Sequence, residues 1–224
     1  MARFAHGAKP RRGGALRGGV PGWRDRWGYR ARPDAWRYTV ADLFVALIHH
    51  PVLDRNGRIV TAAITSLDLH DLARAARTYD VRAVYVMHPV AEQREFALRV
   101  LDHWRLGHGR LYDSRRREAL ELVEVVADLD DAIVAAERLA GIRPALVLTS
   151  ARADGGVKSG ELRKSLAGPG ARPLMIMLGT GFGLAPSISE RADLTLEAIR
   201  GPGDYNHLSV RAAAAIILDR LRGK

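Results

Sequence analysis

The chain is 224 residues long, 47% apolar and 27% charged, the proportions of a globular protein with room for one domain and a tail. It has no cysteine, which excludes disulfides, thiolate nucleophiles and cysteine-held zinc or iron–sulfur groups. No run approaches the roughly 18 apolar residues of a membrane helix, and with no signal pointing elsewhere the cytoplasm is the expected address.

The formal charge is +10, of which residues 1–40 hold +8, from ten Lys and Arg against Asp25 and Asp34. This segment mixes arginine with glycine and proline and scatters Trp23, Trp27, Tyr29 and Trp36 without a helical or strand period. Such a composition builds no core of its own. Two accounts stand: an RNA-binding arm, with arginines for phosphates and aromatics for bases, or a dispensable extension. No apolar stretch of about 7 to 15 residues follows the charges, so a secretory signal is not expected.

From residue 41 the text turns globular. LFVALIHH (43–50) is a continuous apolar run, the mark of a strand buried on both faces. Thr65 and Asp68 form a capping-box pattern ahead of Leu69, Leu72, Ala73 and Ala76 at helical spacing. VRAVYVMHP (81–89) reads as a second strand, and Phe96, Val100, Leu101 and Trp104 mark a helix that stops at Gly107. Then come a strand over 120–126, a helix over 129–140 closed by Gly141, and a strand over 145–150. A short helix near 161–166, the very apolar strand 173–179, a short strand at 194–199 and a last helix over 206–222 complete the series. Six strands alternating with helices predict an α/β domain, 41–224: a mostly parallel six-stranded sheet with helices on both faces.

Ligands of such sheets sit beyond the carboxyl ends of the strands, and two loops there stand out. Gly179-Thr180-Gly181-Phe182-Gly183-Leu184 follows the strand 173–179; its alternate glycines let backbone come close to a ligand and present bare N–H groups. The spacing is neither a P-loop nor a dinucleotide fingerprint, and a tight turn with packing glycines accounts for it equally when it is taken alone. About twenty residues later, 199–211 combines Gly201, Gly203 and a polar cluster with the start of an alanine-rich helix, which places backbone amides at a helix N-terminus. Two glycine loops closing on one helix end suit a pocket made of backbone.

GTGFGL and YNHLSVRAAAAIILDRL, with TSLDLHDLARAARTYDVRAVYVMHP upstream, resemble the SPOUT superfamily of S-adenosylmethionine-dependent RNA methyltransferases over about residues 43–222. The resemblance implies a C-terminal segment tucked into a trefoil knot, an exception to the rule that chains stay unknotted. It also implies S-adenosyl-L-methionine held by the two loops. By position, Gly179, Gly181, Ile199, Leu208 and Ser209 would line the pocket, Thr149 would border it, and Thr180, Gly183, Gly201 and Asn206 would complete the loops. Phe182 stands where this branch usually has tryptophan.

In the wider superfamily an N-x-x-x-x-x-R motif opens the first helix. Asp68 and Arg74 have that spacing here, with an acid in place of the amide, and are the catalytic candidates together with His70. His70, Arg74 and Arg77 fall on one helix face, suited to phosphate or a base edge; a solvated polar face, with Asp71 pairing Arg74, is the plainer account. His50 ends the first strand at a position where the branch shows histidine, and a structural role is as good a reading. No HExxH or other spaced metal pair occurs, so no metal is expected.

The resemblance implies a homodimer with composite sites, for which the last helix offers a contact: Ala212 to Ala215 permit close approach, and Ile216, Ile217, Leu218 and Leu221 supply more apolar surface than one intramolecular face needs. The expected substrate is tRNA or rRNA, methylated at a base nitrogen or a ribose hydroxyl. The competing readings are a nucleotide-binding module that has lost transfer, which Asp68 would favour, and an RNA-binding scaffold acting through the arm.

Overall fold

The computed structural model describes residues 40–168 and 170–224; the basic arm expected over 1–40 lies, but for Val40, outside them. In chain order the elements are β1 (Leu43–Ile48), β2 (Val52–Leu53), β3 (Ile59–Val60), α1 (Ser66–Thr78), β4 (Ala83–Met87), α2 (Ala91–Arg105), α3 (Gly109–Tyr112) and α4 (Ser114–Leu120). They continue with β5 (Val123–Val126), α5 (Leu129–Ala140), β6 (Ala145–Leu148), α6 (Ser159–Ser165), β7 (Leu174–Gly179), α7 (Pro186–Ser189), β8 (Leu194–Thr195) and α8 (Val210–Arg222).

The main sheet has the order β5-β4-β1-β7-β6-β8, and every pairing in it is parallel. Alternation along β1 sends its side chains to two separate cores. Leu43, Val45 and Leu47 join residues of α1, α2, α4, α6 and α8, whereas Phe44, Ala46 and Ile48 join α5 and Ile188 of α7. The result is the expected three-layer arrangement, a sheet covered on both faces.

Several boundaries differ from the sequence expectation. The stretch expected as a strand from 120 begins as the end of α4, and β5 starts only at Val123. Asp113 caps α4 by accepting from the N–H groups of Arg115 and Arg116, which starts a helix that apolar periodicity does not announce. The last helix begins at Val210 rather than 206, because Ser209 takes the N-cap and accepts from the Ala212 N–H. The strand expected over 194–199 shortens to Leu194–Thr195. The small antiparallel β2–β3 hairpin was not expected from the sequence.

Strand order reverses between β1 and β7: the chain first builds outward through β4 and β5, then crosses to β6 and returns β7 to the centre. That reversal is a topological switch point, the place where sheets of this kind form a ligand crevice at the carboxyl ends of their strands. Both glycine loops lead away from that end.

Candidate functional site

The first loop is built by β7 and braced by β2. Gly179 ends the strand, where an added Cβ would lie 2.9 Å from Leu184 Cγ. Gly181 has φ +60°, and its added Cβ would lie 2.9 Å from the Leu53 carbonyl oxygen, so the position requires glycine twice over. The Phe182 N–H donates to that same carbonyl at 2.9 Å, and the Leu53 N–H donates to Gly183 O at 2.9 Å. The Thr180 hydroxyl donates to Ile48 O at 3.3 Å. The hairpin that escaped the sequence reading thus holds the glycine turn in shape.

The second loop runs along the outside of 149–159. Val157 pairs with Leu196 in a parallel bridge, Asn206 Nδ2 donates to Ala151 O at 2.9 Å, and Arg200 Nη2 donates to Ala153 O at 3.2 Å. Thr149 anchors its own strand end by donating to Met177 O at 2.7 Å. Among the described residues, no backbone N–H from 198 to 208 donates to a backbone carbonyl. Most of this stretch is exposed, so its amides, apart from Pro202 which has none, are open to solvent and accessible to a ligand. Ile199 packs against the core, while Leu208 on this loop and Phe182 on the first are both about half exposed. Exposed amides with apolar side chains at hand suit a ligand that joins a flat heteroaromatic face to hydrogen-bond acceptors. Gly183, Gly201 and Gly203 differ from Gly179 and Gly181: a Cβ added at any of them would meet nothing within 4 Å.

The three catalytic candidates separate along α1. Thr65 and Asp68 make the expected capping box, with the Asp68 N–H donating to Thr65 Oγ1 and Asp68 Oδ2 accepting from the Thr65 N–H and hydroxyl. That carboxylate also lies 4.0 Å from Nε2 of the fully buried His49 and 3.9 Å from Arg211 of α8. Asp71 pairs with Arg211 at 3.7 Å rather than with Arg74. His70 turns its ring edge-on to Trp104, 5.4 Å between centroids; burial, and then the Arg116 charge, lower its pKa. Arg74 and Arg77 continue on that face toward α4, where Arg77 meets Glu118. Sequence spacing had shown no carboxylate there because Glu118 comes from another helix. His50 is bonded to the Thr61 hydroxyl at 3.0 Å.

His49 and Arg211 escaped the sequence reading because their partners are distant in the chain. Burial works to raise the Asp68 carboxyl, but the contacts with His49 and Thr65 outweigh it and hold the group below its ordinary value. A depressed carboxylate stabilises the fold above its unfolded pKa of 3.8 and loses that contribution as the pH falls through the lower folded value. Asp68→Asn should therefore cost about 1 kcal/mol at neutral pH. Urea unfolding at stepped pH should show the two proteins converging below about pH 3.8, and a gap that widens in acid would refute the assignment.

Comparison with known proteins agrees with this architecture. The profile of a family described as SAM-dependent RNA methyltransferase matches residues 42–223. An uncharacterised protein of Aquifex aeolicus is 41% identical over 181 residues, which is 80% of this chain and 88% of that protein. A tRNA (guanine-N(1)-)-methyltransferase of Oleidesulfovibrio alaskensis is 38% identical over 182 residues, 81% of this chain. The match spans only 42% of that relative's length. Among solved structures, the SpoU methyltransferase AviRb of Streptomyces viridochromogenes in complex with AdoMet has a TM-score of 0.51 at 19% identity, over 81% of this chain and 57% of its own. A probable methyltransferase of Bordetella pertussis reaches 0.53 at 19% identity, over 81% and 95%. These two share the fold. Because the family match takes in every strand of the sheet and both loops of the crevice, the chain belongs to the S-adenosylmethionine-dependent RNA methyltransferases of the SPOUT superfamily, with S-adenosylmethionine as its cofactor.

Proposed function

We propose that the chain methylates structured RNA, cytoplasmic tRNA or rRNA, at a base nitrogen or a ribose hydroxyl, with the methyl donor seated between 179–184 and 199–209. The observation that carries this reading is the glycine turn at the end of β7, where neither Gly179 nor Gly181 leaves room for a Cβ, in a chain that matches the methyltransferase family over residues 42–223. When bound, S-adenosylmethionine supplies an electrophilic methyl group. The protein's task is then alignment and exclusion of water. The bare amides of 198–208 hold polar ligand atoms, the turn at Gly181 admits the ligand against backbone, and Arg74 takes a phosphate of the RNA.

The lacing of 196–206 against 149–159 supports the trefoil knot as part of this reading. Of the expected dimer contact on α8, Ala214, Ile217, Leu218 and Leu221 are buried in the chain's own core; the half-buried Ala212, Ala213, Ala215 and Ile216 remain and support a homodimer in which Arg74 serves the pocket of the other chain. Asp68 in place of an amide gives no support to a module without turnover, since its carboxylate is engaged as a helix cap, a task both residue types perform.

Mass spectrometry of nucleosides from cells with and without the gene tests the proposal. One methylated nucleoside should vanish with the gene, its identity separating base from ribose and its RNA fraction separating tRNA from rRNA. An unchanged profile would overturn it. The segment 1–40 is proposed as an RNA-binding arm: its removal should flatten the salt dependence of RNA binding, given its +8 charge, and leave calorimetric affinity for S-adenosylmethionine unaltered. Loss of cofactor binding on truncation would make the segment part of the fold instead.

A further inference from the structure

Beyond the crevice, the described chain has a second concentration of charge. A groove of about 380 Å³ lies between the last turns of α1 and the start of α4, lined by Arg74, Arg77, Thr78, Asp113, Arg115, Arg116 and Ala119. Four guanidinium groups thus face two carboxylates, Asp113 in the lining and Glu118 on Arg77. Their partners are unequally shared. Arg116 is planted, 3.7 Å from Asp113 and 4.8 Å over the Trp104 ring, and Arg77 meets Glu118. Among the described residues, the side chains of Arg74 and Arg115 make no hydrogen bond or ion pair. On α4 the next arginine, Arg117, is taken by Glu121 at 3.5 Å, so the surplus of charge faces the groove rather than the helix as a whole. Like charges gathered in this way repel one another, and a polyanion removes that repulsion.

The neighbouring residue narrows the partner. Tyr112, directly before the capping Asp113, is 88% exposed, a large aromatic surface with nothing of its own chain to cover it. Arginines beside an uncovered aromatic ring are the equipment for a nucleic-acid strand, phosphates on the guanidinium groups and an unstacked base on the ring. The groove is not the cofactor crevice: none of its lining residues belongs to 179–184 or 199–209, and Arg74 alone joins it to the RNA contact already proposed.

We propose that the α1–α4 groove is a second RNA contact, in which Arg77, Arg115 and Arg116 grip the phosphate backbone flanking the methylated nucleotide and Tyr112 stacks on an unpaired base. This rests on the reading of the chain as an RNA methyltransferase. The test uses the full-length protein and labelled, unmodified tRNA and rRNA transcripts, titrated from about 50 to 300 mM salt. The double variant Arg77→Gln with Arg115→Gln should bind about tenfold more weakly at about 100 mM salt, with a log–log salt slope shallower by about one to two units. Arg77→Lys with Arg115→Lys should recover most of the slope, and both double variants should bind S-adenosylmethionine like the parent. Tyr112→Ala should weaken binding about fivefold or more while leaving the slope in place, because stacking releases no counterions. A parent that binds RNA and a Gln double variant that matches it in affinity and slope would overturn the groove alone, as an acidic protein partner there would predict. A parent that binds no RNA would overturn the functional reading, and the groove with it.

Discussion

Gly181→Val yields a folded chain whose affinity for S-adenosylmethionine falls about thirtyfold or more. Two costs meet at this position. Its φ of +60° is a conformation that a β-branched residue resists by about 1 to 3 kcal/mol. The added Cβ also falls 2.9 Å from the Leu53 carbonyl oxygen, and overpacking of this kind costs a further 1 to 3 kcal/mol or so. The turn escapes both by moving away from β2, which breaks the paired bonds between Leu53 and residues 182–183 and spoils the ligand-facing shape. About 2 kcal/mol of this, appearing in binding, is the thirtyfold loss. Gly160→Ala in α6 is the control, since it lies outside both loops and its added Cβ meets nothing within 4 Å, and its affinity should stay near that of the parent. Calorimetry showing full affinity in Gly181→Val would remove the cofactor from this loop.

Coexpressed Arg74→Ala and Gly181→Val chains recover methyl transfer that neither has alone. If two chains pair across α8 and Arg74 of one serves the pocket of the other, each single variant forms dimers in which both sites are broken. A mixed dimer carries one site with both residues intact, and random pairing makes about half of all dimers mixed. Activity should therefore rise from background to about a quarter of the parent's, one working site in every second dimer. Coexpression avoids waiting for assembled dimers to exchange. If native mass spectrometry confirms mixed dimers and no transfer returns, Arg74 acts within its own chain or has no part in the reaction.

Legibility in the sequence followed how local each cause was. β1, β4 and β7 were readable because both faces are buried and their text is continuously apolar. Helix α5 was placed to the residue, from Leu129 to Ala140, since its stop signal, Gly141 with φ +77°, sits beside it in the chain. Helix α4 was missed because only Ala119 and Leu120 of its residues are buried; three arginines and a glutamate carry no period. The β2–β3 hairpin was missed because its cause is distant, bonds from Leu53 to a turn some 130 residues later.

The site divided in the same way. Its glycine loops announce themselves by composition, whereas the His49, Asp68 and Arg211 cluster joins three elements that only folding brings together. Tyr112 and Arg115 were passed over because an exposed side chain leaves no pattern until its neighbours are known.

The central position of β7 has a consequence for synthesis. Leu43 pairs with Leu174, so one edge of the wholly buried β1 has no partner until a strand far down the chain leaves the ribosome. At about 5 to 20 residues per second the wait is roughly 7 to 26 s. During that time an apolar edge, the kind of surface that templates aggregation, stands open. The nascent chain should therefore lean on chaperones until β7 arrives, and a truncation ending before residue 174 should collect in inclusion bodies even though β1, β4 and β5 are all present in it.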